Sequence, residues 1–391
     1  MARSMVGVTR PRGSRRSSAL DRASRYDATA PLRHFDFLLV GTVLLISVFG
    51  LLMIWSASHH RIPGDELYFV KRQAMFLVLG VATMVVVLSV DYRRLRDHAL
   101  LFYLGSVAIL VLVISPLGSN IKGNQAWFQL PGGFTFQPSE FAKFGIIVAL
   151  AGYCNQYRGE LDAWRLATVL GLAAVPLGLV MLQPDFGTLM VLMVIMVGLL
   201  IVAGVTVRQM VVLLLLAATG VFVMINVGLV KQYQIDRLNF LDRQNTAQSS
   251  GYNQDQSIQA IANGRTTGQG IGNGASTQGS FVPEQHTDFI FTAVGEELGF
   301  VGAALLLALF GVVMWRTWRA ARLARDFFGA LVCVGVLAMF AFQVFENVGM
   351  TMGIMPVTGI PLPFMSYGGS SMIATFACIG IVANIGMRRF Q

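Results

Sequence analysis

Ten uninterrupted apolar runs, most of them close to twenty residues long, set the terms for this chain. They fall at about 36–57, 68–90, 99–115, 138–154, 165–182, 186–204, 208–230, 286–315, 327–350 and 364–387. About twenty helical residues cross the roughly 30 Å hydrocarbon core of a bilayer. Inside that core every backbone polar group must be paired within the protein, so only helices or closed barrels span it. A barrel strand alternates apolar and polar positions over about ten residues, and these runs do not alternate. Only 13% of the 391 residues are charged and 55% are hydrophobic, which excludes disorder and a compact soluble enzyme. The predicted fold class is therefore an all-α polytopic membrane protein of about ten transmembrane helices.

Charge placement orients the bundle. With the N-terminus inside, twenty of the 29 Lys and Arg fall on the cytoplasmic side, eight on the other, and Lys143 within a span. That bias follows the positive-inside rule and puts both termini on the cytoplasmic side of the membrane. The net charge of +9 thus reports membrane sidedness and implies no nucleic-acid partner. Residues 1–35 hold eight Arg and no Lys; they are read as a disordered cytoplasmic tail that meets anionic membrane lipid. The ten-helix domain occupies 36–391. Its long connections are external: 116–137, a large loop at about 231–285 between helices 7 and 8, and 351–363. Function is expected on that face. Cys154, Cys333 and Cys378 lie in apolar runs with no disulfide or zinc spacing and read as small buried hydrophobes. No internal repeat is evident, which disfavours an inverted-repeat transporter.

Ionisable residues at span edges are the candidates for chemistry, because isolated burial is costly. Pro138-Ser139-Glu140 opens the fourth span, and Glu140 and Lys143 share a helix face. They form either a neutralising pair at a helix start or a polar wall that offers charge to an anionic substrate. Asp185, in Gln183-Pro184-Asp185-Phe186-Gly187, is read first as the cap of the sixth span, with a substrate contact as the other reading. His286 and Asp288 enter the eighth span from outside, where Asp288 is either a cap or a base. Glu296 and Glu297 lie deeper and need partners. The stretch 264–279 carries six glycines and reads as a mobile external loop. Residues 254–262 read as a short amphipathic helix on the membrane surface through Ile258 and Ile261. Three prolines in 356–363 exclude continuous helix and imply a rigid re-entrant or surface loop, with Ser366, Tyr367 and Ser370 beside it.

Together these segments resemble the SEDS family (shape, elongation, division and sporulation) across 36–389. The motifs that carry the resemblance are Phe-Gln-Pro-Ser-Glu at 136–140, Gln-Pro-Asp-Phe-Gly-Thr at 183–188, Pro-Glu-Gln-His-Thr-Asp-Phe-Ile-Phe at 283–291 and Pro-Leu-Pro-Phe-Met-Ser-Tyr-Gly-Gly-Ser-Ser at 361–371. Met355-Pro-Val-Thr-Gly-Ile-Pro resembles the RodA branch rather than the FtsW branch. The resemblance implies a peptidoglycan glycosyltransferase that polymerises lipid II, a polyprenyl diphosphate-linked disaccharide-pentapeptide, on the outer face of the plasma membrane during cell elongation. It implies a class B penicillin-binding protein as transpeptidase partner, Asp288 as the essential aspartate, and Arg72, Trp127, Glu140 and Lys143 as substrate-binding residues. Asp185, His286 and Ser366 join them from the motifs.

The residues suit that chemistry. Transfer from a diphosphate carrier needs a base on the attacking hydroxyl but no acid on the leaving side once the diphosphate charge is neutralised. Asp288 supplies the base; Lys143, Arg72 or a bound Mg²⁺ or Mn²⁺ holds the diphosphate. The competing readings are a lipid II flippase, an FtsW-like septal polymerase and a scaffold without chemistry. A flippase needs ionisable groups through the whole membrane depth, whereas here they gather at one end.

Overall fold

The computed structural model describes residues 34–58, 60–62, 64–121, 124–159, 161–226 and 250–390. The basic tail up to residue 33 and the 231–249 part of the large connection lie outside the described residues. Ten long helices follow the ten apolar runs: α1 (Phe37–Ser58), α2 (Tyr68–Ser89), α4 (Ala99–Ile114), α5 (Pro138–Gln156), α6 (Ala163–Leu182), α7 (Phe186–Ala203), α8 (Val207–Asn226), α11 (Ile290–Leu323), α12 (Phe327–Thr351) and α13 (Gly369–Met387). Short helices α3 (Tyr92–Asp97), α9 (Ser250–Gly264) and α10 (Ala275–Gln278) complete the set. Seven of the ten meet both length and hydropathy requirements for a span, and α4 and the first half of α8 are apolar but shorter. In α5 the apolar run carries Glu140 and Lys143 in its first two turns.

Asp caps fix several starts. Asp162, Asp185 and Asp326 accept from backbone N–H groups in the first turns of α6, α7 and α12. Pro138 occupies the first turn of α5, where its missing N–H leaves nothing unpaired. Burial divides the helices. Most of α12 and α13 is enclosed, while α2 and α8 expose rows of Val and Leu to lipid. Where α13 crosses α2, a Cβ at Gly380 would sit 3.0 Å from the Met84 carbonyl oxygen. Such close approach of small residues is how helices pack when burial from water gives no drive.

Three departures from the sequence reading matter for the site. First, the connection before α5 is not plain loop. It forms an antiparallel sheet in the order β1 (Ser119–Ile121), β2 (Asn124–Leu130), β3 (Phe134–Phe136), with Phe128 opposite Phe136. A Pro-Gly-Gly turn between two aromatic-rich segments is the hairpin signal that a reading for membrane spans passes over.

Second, α9 is docked on protein through a buried stripe. Gln254 and Ser257 are buried, and Gln254 donates to the Met350 and Met355 carbonyls at 2.9 Å each. Ser257 reaches Thr292 Oγ1 at 2.5 Å and the Thr351 carbonyl at 2.9 Å. A polar stripe of α9 therefore faces protein, which the Ile258 and Ile261 pattern alone did not reveal.

Third, the glycine-rich stretch is packed, not mobile. Gly299 breaks α11 with φ 64° and ψ −162°, and a break frees N–H groups after it and carbonyls before it. Segment 265–270 takes them up. Phe300 and Val301 donate to the Arg265 and Thr266 carbonyls at 2.9 and 3.1 Å. Gln269 and Gly270 donate to the Glu296 and Glu297 carbonyls at 3.0 and 2.9 Å. The approach is so close that a Cβ at Gly268 would lie 2.1 Å from the Glu297 carbonyl oxygen. The two fully buried carboxylates also find partners here. Glu296 accepts from Ser276 N, Thr277 N and Thr277 Oγ1 at 2.7, 2.9 and 2.7 Å, and Glu297 accepts from the Ser56 hydroxyl.

The 352–368 segment is a re-entrant loop. Ile360, Leu362, Phe364 and Met365 are buried, and the Met365 backbone packs against α1 at Gly50, whose Cβ would lie 2.8 Å away.

Candidate active site

At the end of the bundle that carries the sheet, a cavity of about 460 Å³ opens among α2, the sheet, α5, the α6–α7 turn, the start of α11 and the re-entrant loop. That is the usual size range for small-molecule sites. Its wall includes Arg72, Trp127, Glu140, Lys143, Asp185 and Asp288.

The cations sit on the side formed by α2 and α5. Arg72 lies in the first turns of α2, and the β2–β3 turn fixes its guanidinium: it donates to the Gly132 and Gly133 carbonyls at 2.6 and 2.9 Å. The rings of Tyr68 and Phe134 flank it, with centroids at 4.7 and 4.9 Å. Trp127, half-buried on β2, pairs with Ser119. Lys143 Nζ meets Glu140 Oε1 at 2.7 Å, with both side chains 4% exposed or less. Each ion would be costly there alone; together they cancel most of that cost. The pair is both a neutralised helix start and part of the cavity wall, so the two sequence readings are not exclusive.

Asp185 likewise does two things. It caps α7 through Thr188 N at 3.0 Å and Thr188 Oγ1 at 2.8 Å, and it accepts from Gln137 Nε2 at 3.2 Å while lining the cavity.

Asp288 lies in the turn before α11 and is half-buried. Its N–H donates to the Glu284 carbonyl at 3.0 Å, and its own carbonyl accepts from Asn347 Nδ2 at 2.8 Å. Gly359 faces it from the re-entrant loop: φ is +77°, and a Cβ there would lie 3.3 Å from Asp288 Oδ2.

His286 and Ser366 stand behind the wall rather than in it. His286 is 7% exposed and packs on the rings of Phe69 and Tyr367, with centroids at 4.6 and 5.6 Å, and its carbonyl accepts from Tyr367 N at 2.9 Å. Ser366 Oγ accepts from Leu362 N at 2.8 Å, and its carbonyl accepts from Gln73 Nε2 at 3.0 Å. Both hold the re-entrant loop in shape. Tyr367 does reach the cavity. Burial pushes its phenol up, so it serves as a neutral hydrogen-bonding group. Gln73, Asn253, Thr358 and Asn347 did not stand out in the sequence. Gln73 and Asn347 each had one available signal, an amide inside an apolar run.

No group of three His, Cys, Asp or Glu side chains among the described residues is arranged to hold a metal ion. Of the four carboxylates in the cavity wall, Glu140 pairs with Lys143, Asp185 caps α7 and accepts from Gln137, and Glu284 and Asp288 lie together at the start of α11. The described residues therefore form no closed, protein-only site for a divalent cation. What the arrangement offers is a carboxylate on one side, cations on the other and hydrogen-bonding groups between them.

The cell cycle protein family that comprises FtsW, RodA and SpoVE matches residues 36–391. Stage V sporulation protein E of Bacillus subtilis is 36% identical over 90% of this chain and 96% of its own length. A protein named probable peptidoglycan glycosyltransferase FtsW, from Thioalkalivibrio sulfidiphilus, is 37% identical over 94% of each chain. Among solved structures, a chain from work on the coordination of polymerization and crosslinking by a peptidoglycan synthase complex superposes with a TM-score of 0.78. It is 32% identical, over 91% of this chain and 99% of that one. The rod shape determining protein RodA of Thermus thermophilus superposes at 0.68 with 30% identity, covering 91% and 98%.

Proposed function

This chain belongs to the FtsW/RodA/SpoVE family, and on that premise we propose that its cavity polymerises lipid II into glycan strands, as a peptidoglycan glycosyltransferase. One observation carries the reading: Asp288 shares a single cavity with Arg72 and Lys143. Asp288 removes the proton from the acceptor hydroxyl, and that oxygen attacks the anomeric carbon of the donor with inversion. The bond to the polyprenyl diphosphate breaks, and the diphosphate leaves with the bonding pair. Arg72 and Lys143 stabilise its charge, so no carboxylic acid is required on that side. Trp127 and Tyr367 supply a flat apolar face and a neutral donor for the sugars. The excess of Lys and Arg at the opposite end supports a cavity that faces outward.

The test is polymerisation of lipid II by the purified chain in detergent. Glycan polymer is expected. Movement of lipid II across vesicles without polymer would favour the flippase instead.

Elongation is the cellular role proposed, supported by the RodA-like Met355-Pro-Val-Thr-Gly-Ile-Pro segment. The similarity to proteins named FtsW and SpoVE supports a septal or sporulation role as the second reading. Depletion separates them: rounded cells for elongation, filaments for division. A class B penicillin-binding protein is the proposed partner, supported by the similarity to a chain of a synthase complex that couples polymerization to crosslinking.

A further inference from the structure

Helix α12 carries a second carboxylate that the proposed reaction does not use. Glu346 and Asn347 are adjacent, and each is 0% exposed. A carboxylate in that position is costly, and an aliphatic residue of similar volume would pack there at no such cost. Glu346 has one hydrogen bond to offset it: the Thr358 hydroxyl donates to Oε1, and Oε2 has no hydrogen-bond partner among the described residues. Asn347 divides its two N–H groups between the Asp288 carbonyl and the Ile360 carbonyl, at 2.8 Å each. The pair thus holds three points: the backbone of Asp288, the Thr358 side chain and the backbone of Ile360. Between the last two lies Gly359, the residue that faces Asp288 Oδ2.

We propose that Glu346 and Asn347 are the positioning pair for Asp288, fixing its carboxylate against the Thr358–Ile360 turn so that it meets the acceptor hydroxyl in a reactive geometry. Neither residue belongs to the cavity wall, whereas Thr358, Gly359 and Asp288 do. The pair therefore acts through others and never touches substrate. Among the described residues, the side-chain hydrogen bonds to this turn come from Glu346 and Asn347. Thr358 has one oxygen and Gly359 has no side chain, so the turn's register on Asp288 comes from α12. The geometry also explains why a polar pair interrupts an otherwise apolar span: the two loops it ties are 59 and about a dozen residues away in sequence, and α12 reaches both.

This inference rests on reading Asp288 as the base, and the experiment separates the two. Thr358→Val, Glu346→Leu and Asn347→Leu are purified and assayed with lipid II alongside Asp288→Asn. A misplaced reactive group costs rate rather than substrate binding, so kcat should fall about ten- to a hundredfold while KM stays within about twofold. Thr358→Ser, which keeps the hydroxyl, should recover most of the lost kcat. Thr358→Val combined with Glu346→Leu should be no slower than the slower single variant, since both break one contact. Thermal stability in detergent guards against simple unfolding; Thr358→Val removes only a hydroxyl and serves if Glu346→Leu does not fold. A wild-type kcat in Thr358→Val and Glu346→Leu, with Asp288→Asn inactive, overturns the positioning pair and leaves the base intact. Additive losses, or losses confined to KM, overturn it as well. Full activity of Asp288→Asn removes the base, and the positioning pair with it.

Discussion

Asp288 concentrates the chemistry proposed here into one side chain, so its replacement is the most direct test. Asp288→Asn keeps the shape and removes the basicity. Polymerisation of lipid II should fall by about a hundredfold to ten-thousandfold, the usual contribution of a positioned base, with the protein still folded. The Glu140–Lys143 pair is different, because charge and stability are coupled there. Lys143→Ala leaves Glu140 buried without its cation, and breaking a buried pair in this way costs about 3–5 kcal/mol. Replacing both, as Glu140→Gln with Lys143→Met, removes the unpaired charge. The double variant should therefore melt closer to wild type than Lys143→Ala while remaining inactive. If Lys143→Ala alone is as stable and active as wild type, Lys143 neither balances Glu140 nor holds substrate.

Among the elements, the broken helix α11 shows most clearly how the fold is built. Its break at Gly299 would be untenable inside a bilayer if the freed backbone groups had no partners, and segment 265–270 supplies four hydrogen bonds to them. The glycines are there because backbone meets backbone. Gly268→Ala puts a Cβ 2.1 Å from a carbonyl oxygen at φ +79°, so it should lower stability by about 1–3 kcal/mol, the range for overpacking. Gly311→Ala, farther along the same helix with nothing within 4 Å of its Cβ, should be neutral or stabilising by up to about 1 kcal/mol. Thermal melts of the two variants in one detergent make the comparison. Equal melting temperatures would mean that the 265–270 segment does not dock on α11 as described.

For the whole molecule, the cavity is assembled from segments that lie far apart in the chain, and its geometry depends on how the bundle closes. That gives a partner something to act on. The proposed class B penicillin-binding protein should raise the polymerisation rate of this chain at equal chain concentration, by favouring the conformation in which the re-entrant loop and Asp288 are in register. Residues 250–285 are folded onto α11 and α12, so they do not serve as the loose segment the sequence suggested. Equal rates with and without partner would remove the activation, and failure to co-purify would remove the pairing.

The sequence by itself determined the number and order of the spans. Apolar length and the cost of an unpaired backbone in lipid leave a helix as the one solution for each run, and no distant contact is needed to know it. Local chemistry likewise marked the cap at Asp185 and the charged pair at Glu140 and Lys143, because helix spacing alone brings the pair together. What only the tertiary structure decided is everything that depends on two segments meeting. The six glycines of 264–279 look like slack until α11 breaks beside them, and α9 looks like a surface helix until its polar stripe finds α12. His286 and Ser366 sit beside cavity residues in the chain yet face inward, away from it. Glu346 and Asn347 show in the sequence only as a polar pair inside an apolar run, and what they hold is hidden there, since their partners come from two other segments and the backbone carbonyls that Asn347 reaches carry no sequence signature.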